Sequence, residues 1–175
     1  MRRVSTRRAV AALALPVALV AGCGLVPSNG LAYGTGEPGV GIGTGFSVGY
    51  DLADGEESVW VGLETLCAYD DATEVVGVTP VVASGAADVE YLLRTTPAAA
   101  TAVGLQTSAP DGLVPADGAT VPTRCGAGGD DVTQLVAHVT TDEGVVLDGY
   151  RLAFFGDGGR RELRSTTQVR VGVAP

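Results

Sequence analysis

The chain reads as an all-β protein, an antiparallel β-sandwich of about seven to eight strands, and three observations predict it. From Gly45 onward apolar residues recur at every second position. Turn-forming clusters punctuate these runs at Asp54-Gly55, Asp70-Asp71, Ser84-Gly85, Asp142-Glu143-Gly144 and Asp157-Gly158-Gly159. No segment repeats its apolar residues with a helical period.

The chain opens on MRRVSTRR, four arginines, followed by the apolar run Ala9 to Val20 and then Ala21-Gly22-Cys23. Charge, apolar stretch and small residues in that order make an export signal. The run has twelve residues. That is short of the roughly 20 that a membrane-spanning helix needs, so residues 1–22 are read as a signal peptide outside the fold. Val20-Ala21-Gly22-Cys23 resembles the lipobox of bacterial lipoproteins. The resemblance implies that the Cys23 thiol receives a diacylglyceryl group and that the chain is cut before it, with Val20, Ala21 and Gly22 recognised by the signal peptidase. It also implies a mature protein anchored in the lipid bilayer, on the outer face of the cell membrane. Arg7-Arg8 resembles a twin-arginine export signal. The composition, without lysine and rich in Ala, Gly and Val, resembles that of proteins from GC-rich bacteria.

Residues 23–43 are glycine-dense with no apolar period and read as a flexible tether. Gly34-x-Gly36-x-x-Gly39 within them matches the dinucleotide fingerprint, but neither the strand before nor the helix after that the motif needs is present in the pattern. Residues 44–175 form the domain. Its strand candidates in order are FSVGYD, SVWVGLETLC, EVVGVTPVVA, DVEYLLRT, VTQLVAHVTT, VVLDGYRLAFFG and RELRSTTQVRVGV. In the last, Leu163, Ser165, Thr167, Val169, Val171 and Val173 share one face, and Glu162, Arg164, Thr166, Gln168 and Arg170 the other. SVWVGLETLC lines up Val59, Val61, Leu63, Thr65 and Cys67 in the same way. Pro97 to Cys125, with four prolines, is a long connection with room for one short strand. Such strands in one domain suggest an immunoglobulin-like architecture. Trp60 precedes Cys67 instead of following it, so the pattern supports the architecture and not the immunoglobulin family itself.

Past Cys23 two cysteines remain, Cys67 and Cys125. Disulfides persist in exported chains, so the two are expected to pair. They would close a loop of roughly 60 residues, for which the chain-entropy estimate is about 4 kcal/mol. The signal holds four of the eleven basic residues and none of the twenty acidic ones, which leaves the mature chain at −13. Nucleic acid is therefore not an expected partner, because phosphate binding needs clustered positive charge.

The stretch GFSVG spells G-x-S-x-G, the pattern that holds a nucleophilic serine between a strand and a helix. Here Ser47 alternates with Phe46 and Val48 as a strand residue and runs on into YDLADGEES. The single histidine, His138, is the one available general base, and it shares a solvent-side strand face with Gln134 and Thr140. Absence of lysine excludes S-x-x-K acylases, P-loops and Schiff bases. One His and one Met, Met1, exclude a blue-copper set. The acidic pairs Asp70-Asp71, Asp130-Asp131 and Asp142-Glu143 lack the D-x-D-x-D loop of a calcium site and read as solvated turns. No catalytic set, metal or cofactor is expected.

Five of the seven mature arginines, Arg151, Arg160, Arg161, Arg164 and Arg170, fall in the terminal hairpin. Two readings are open. One is cross-strand ion pairing, each pair worth about 0.2–1 kcal/mol. The other is a face made by Arg151, Arg164 and Arg170 for an envelope protein or anionic ligand. The expected role is a non-catalytic binding or accessory module of the cell envelope. The alternative is a small hydrolase or metal-dependent enzyme whose site the sequence hides.

Overall fold

Period-two patterning becomes ten strands in a computed structural model that describes residues 30–34, 45–69, 73–126, 130–156 and 159–172. They are β1 (Leu31–Tyr33), β2 (Ser47–Tyr50), β3 (Ser58–Ala68), β4 (Glu74–Gly85), β5 (Asp88–Pro97), β6 (Leu105–Gln106), β7 (Leu113–Pro115), β8 (Asp131–Thr140), β9 (Val145–Gly156) and β10 (Gly159–Val171). One sheet runs β1-β3-β8-β5-β7, with β6 also on β3, and the other runs β2-β10-β9-β4. Every pairing is antiparallel except β2 with β10, which is parallel. The described residues form an all-β sandwich without a helix, as the alternation predicts. The signal peptide, the lipobox Val20-Ala21-Gly22-Cys23, Asp70, Asp71, Asp157 and Val173 lie outside the described residues.

The inner faces supply the core. Val59, Val61, Leu135 and Val139 come from the first sheet, and Leu147, Leu152, Val169 and Val171 from the second. Each such side chain contributes about 1.5–3 kcal/mol on full burial. On β10 the sorting follows the expected alternation: Ser165, Thr167, Val169 and Val171 are buried, while Glu162, Arg164, Thr166 and Arg170 are exposed. At the edge of the second sheet, β4 carries Pro80 and three register shifts against β9. These irregularities hinder edge-to-edge pairing.

Three sequence expectations are corrected. The tether is shorter than 23–43, because Leu31 (5% exposed) and Tyr33 (8%) enter the core and pair β1 with β3. Three residues flanked by glycine carry too little pattern to register as a strand. The connection after Pro97 holds two short strands, β6 and β7, and closes the sandwich on two sides. Near Val103 it lies over the outer face of the first sheet. Gln134 holds it there, accepting from Val103 N at 2.8 Å and donating to Val103 O at 3.0 Å and Leu63 O at 3.2 Å. Gln134 is therefore buried at 8% instead of facing solvent. Gly62 permits the approach, since a Cβ there would meet Val103 O at 1.8 Å. Farther on, residues 116–121 cross to the edge of β4, where Val75 N donates to Ala119 O and Gly118 N to Val75 O.

The third correction is one of phase. Between Gly62 and Thr65 the register of β3 on β8 shifts, so that Gly62 faces Val136 while Thr65 faces Gln134. The extra residue is a β-bulge, and beyond it the inward set changes from Val59-Val61-Leu63 to Glu64-Leu66-Ala68. Thr65 and Cys67 thus leave the face on which period two had placed them. Cys67 is bonded to Cys125, the pairing expected from the sequence.

Candidate functional site

Ser47 starts β2 on the exposed side, opposite Gln168 of β10, with its Oγ 3.4 Å from Gln168 Oε1. The strand continues to Tyr50 and then to the Asp54-Gly55 turn, so Ser47 is a strand residue without a following helix. His138 belongs to the other sheet. It faces Trp60 across β3–β8, and the two rings stack at 4.1 Å with 10° between planes. Its Nδ1 lies 4.0 Å from Glu90 Oε2 on β5. Alternation places Ser47 and His138 on opposite outer faces of the sandwich.

Arg151 of β9 and Arg164 and Arg170 of β10 share the outer face of the second sheet. Arg164 stands directly opposite Arg151, which in turn faces Thr79 of β4. Arg170 is on the same face, opposite Val146. The ion pair formed here runs along the strand and not across it: Arg164 Nε reaches Glu162 Oε1 at 2.9 Å, with both groups in solvent. Arg170 Nε donates to Gln168 Oε1 at 3.0 Å, and Gln168 Nε2 to Asp148 Oδ1 at 2.7 Å. Among the described residues Arg151 forms no ion pair. Two like charges directly opposite on neighbouring strands repel, and the expected cross-strand acid is missing from between them.

A cleft of about 630 Å³ lies at the end of the sandwich where Asp51, Asp54, Glu56, Glu57 and Asp142 converge. Glu56 is already engaged, accepting from Tyr50 OH and Ala53 N, each at 3.0 Å. The hydrogen bond to Glu56 raises the Tyr50 phenol above its ordinary value. Among the described residues no group of three His, Cys, Asp or Glu is placed to hold a metal ion.

The site that period-two reading misses is Glu64, 6% exposed between the sheets. Its Oε2 accepts from Tyr150 OH at 2.6 Å, and its Oε1 accepts from the Ser165 and Thr167 hydroxyls. Ser165 Oγ also accepts from Thr167 N at 3.0 Å, beside a register shift in β10 between Ser165 and Gln168. Gly149 makes room for that shift. Its φ is 104°, and a Cβ would meet Ser165 O at 2.0 Å. Two bulges, one on each sheet, therefore meet at one carboxylate. Around it Tyr33 packs edge-on to Tyr150 at 6.2 Å, and Tyr91 lies at 5.8 Å from Tyr150. The Tyr33 hydroxyl is buried without a hydrogen-bond partner among the described residues. Burial pushes the phenols of Tyr33, Tyr91 and Tyr150 well above their ordinary value, with the Glu64 charge adding to the effect.

Two outcomes follow from this cluster. Glu64→Ala orphans three buried hydroxyls and opens a void, so it is expected to cost about 3–5 kcal/mol in chemical denaturation. Glu64→Gln, which keeps an acceptor oxygen, should cost about half as much. The tyrosines give a pH dependence of definite sign. Their folded pKa values lie above the unfolded value, so the stability they confer is complete below about pH 10 and falls as pH rises beyond it. In an ultraviolet phenolate titration Tyr33, Tyr91 and Tyr150 should ionise only in step with alkaline unfolding. Reversible ionisation of all five tyrosines in the folded protein would contradict this.

Compared with protein-family models, with curated proteins and with solved structures, the chain matches none.

Proposed function

We propose that the chain is an exported lipoprotein, held at the outer face of the cell membrane through Cys23, whose β-sandwich is a non-catalytic binding or accessory module of the envelope. The anchor is supported by VAGC at the end of a complete signal sequence. The observation that carries the binding reading is the Arg151–Arg164 pair, exposed and directly opposed on β9 and β10. A shared anionic group between the two guanidiniums would turn the repulsion into a bridged contact, and guanidinium forks are well shaped for carboxylate or phosphate. The partner is accordingly an envelope protein or ligand that presents such a group.

Poly-L-glutamate serves as a probe anion. Its affinity is expected to fall about tenfold when Arg151→Ala and Arg164→Ala are combined, about 1.4 kcal/mol, and to weaken as salt is raised. Stability should hold or rise in the double variant, because a like-charge contact is removed. Lost stability with unchanged binding would assign the arginines to the fold alone. The anchor is tested separately. Cys23→Ala should leave the membrane fraction or accumulate as uncut precursor, and a variant that fractionates and migrates like the unsubstituted chain would refute it.

A further inference from the structure

β4 and β5 are consecutive strands that belong to different sheets, β4 at the edge of the second and β5 toward the edge of the first. The chain passes from one to the other through Ala86 and Ala87, so the two strands flank one side of the sandwich. That side is closed only in part. β7 covers β5 from Leu92 to Arg94, and the chain leaves it with Ala116 N donating to Tyr91 O at 3.0 Å before crossing to Val75 of β4. Between this crossing and the β4–β5 connection lies a pocket of about 260 Å³. Val78 from β4, Val89 and Tyr91 from β5, and Pro115 and Ala116 from the crossing make its walls, and Glu90 and Asp117 complete the lining.

The walls are apolar, both lining charges are negative, and no arginine is among them. Asp117 is exposed and forms no ion pair among the described residues. The Glu90 side chain is 60% exposed and its carboxylate stands 4.0 Å from His138 Nδ1, beyond hydrogen-bond distance. Tyr91 is 8% exposed, yet its hydroxyl makes no hydrogen bond among the described residues. Such a group gains from a ligand that bonds it. Two carboxylates on different segments and one phenol oxygen call for a compact cation whose donors turn independently. A primary ammonium has three such donors. Its four-carbon stem can lie against valine and proline while the charge reaches the rim, and the Tyr91 ring adds a cation–π contact. A guanidinium holds its donors in one plane and suits a single carboxylate better.

We propose that this pocket receives a lysine side chain presented by a partner protein, with the ammonium between Glu90 and Asp117 and the stem over Val78, Val89 and Tyr91. None of the 175 residues is lysine, so neither this chain nor a second copy of it supplies the side chain. The pocket lies on the side of the sandwich, apart from the arginine face, and its binding is independent of Cys23.

The full chain, isotopically labelled and purified in neutral detergent, is titrated with N-acetyl-lysine methylamide while its backbone amides are followed by NMR. Saturable shifts should centre on Val78, Val89, Tyr91 and Ala116. Glu90→Gln combined with Asp117→Asn should weaken the affinity about tenfold, and Tyr91→Phe about fivefold, with the remaining amide spectrum unchanged. N-acetylnorleucine methylamide, which keeps the stem and loses the charge, and N-acetylarginine methylamide should each bind the unsubstituted chain at least about fivefold more weakly. Norleucine binding equal to that of lysine makes the pocket an apolar one, and arginine binding equal to it readmits a second copy as the occupant. Shifts confined to the acidic cleft around Asp54 and Gly55, or an affinity untouched by the carboxylate variant, reduce the attraction to net charge. Each of these results, like the absence of any shift at the pocket, overturns the proposal.

Discussion

The two sheets are joined across their interface by one carboxylate. Glu64 reaches from β3 to hydroxyls on β9 and β10, and the surrounding hydrocarbon makes each of those three bonds mandatory. Hydrophobic contact alone tolerates sliding of one sheet over the other, since apolar burial has no direction. A carboxylate with three donors does not. It sets the offset of β3 against β9 and β10, and through them the placement of every strand paired to these. The arrangement needs a bulge in each sheet, so the local irregularities are requirements of the joint.

This explains where sequence reading succeeds and where it stops. The long strands are legible because each alternates over enough residues to distinguish period two from chance, as RELRSTTQVRV shows on β10. The arginine face is legible for the same reason, since register follows from the hairpin. Glu64 is not, because strict alternation places it on the solvent side with Trp60 and Gly62. One inserted residue reverses the phase, and no residue type announces it. Gln134 is misread by a different cause: its outward direction is right, but a loop covers it. Leu31–Tyr33 is too short to show a period and takes its stability from the β3 edge it joins.

Charge is distributed in a way that composition conceals. A chain with a formal net charge of −9 suggests an evenly acidic surface. The fold instead separates an arginine-bearing outer sheet face from a carboxylate-lined end. Surface ion pairs of the Arg164–Glu162 kind add little to stability in solvent. The segregation therefore bears chiefly on which partners can approach from which side, an effect that acts over about a Debye length of 8–10 Å.

The parallel pairing of β2 with β10 joins Ser47 to Gln168, nearly the whole length of the domain. Such a contact cannot form until the last strand has been made and delivered, and closing so long a loop is slow compared with zipping a hairpin. The four-stranded sheet is thus completed by its final residues. A chain of this topology keeps its four-stranded sheet open while it is being synthesised, and completes it only once β10 has been made.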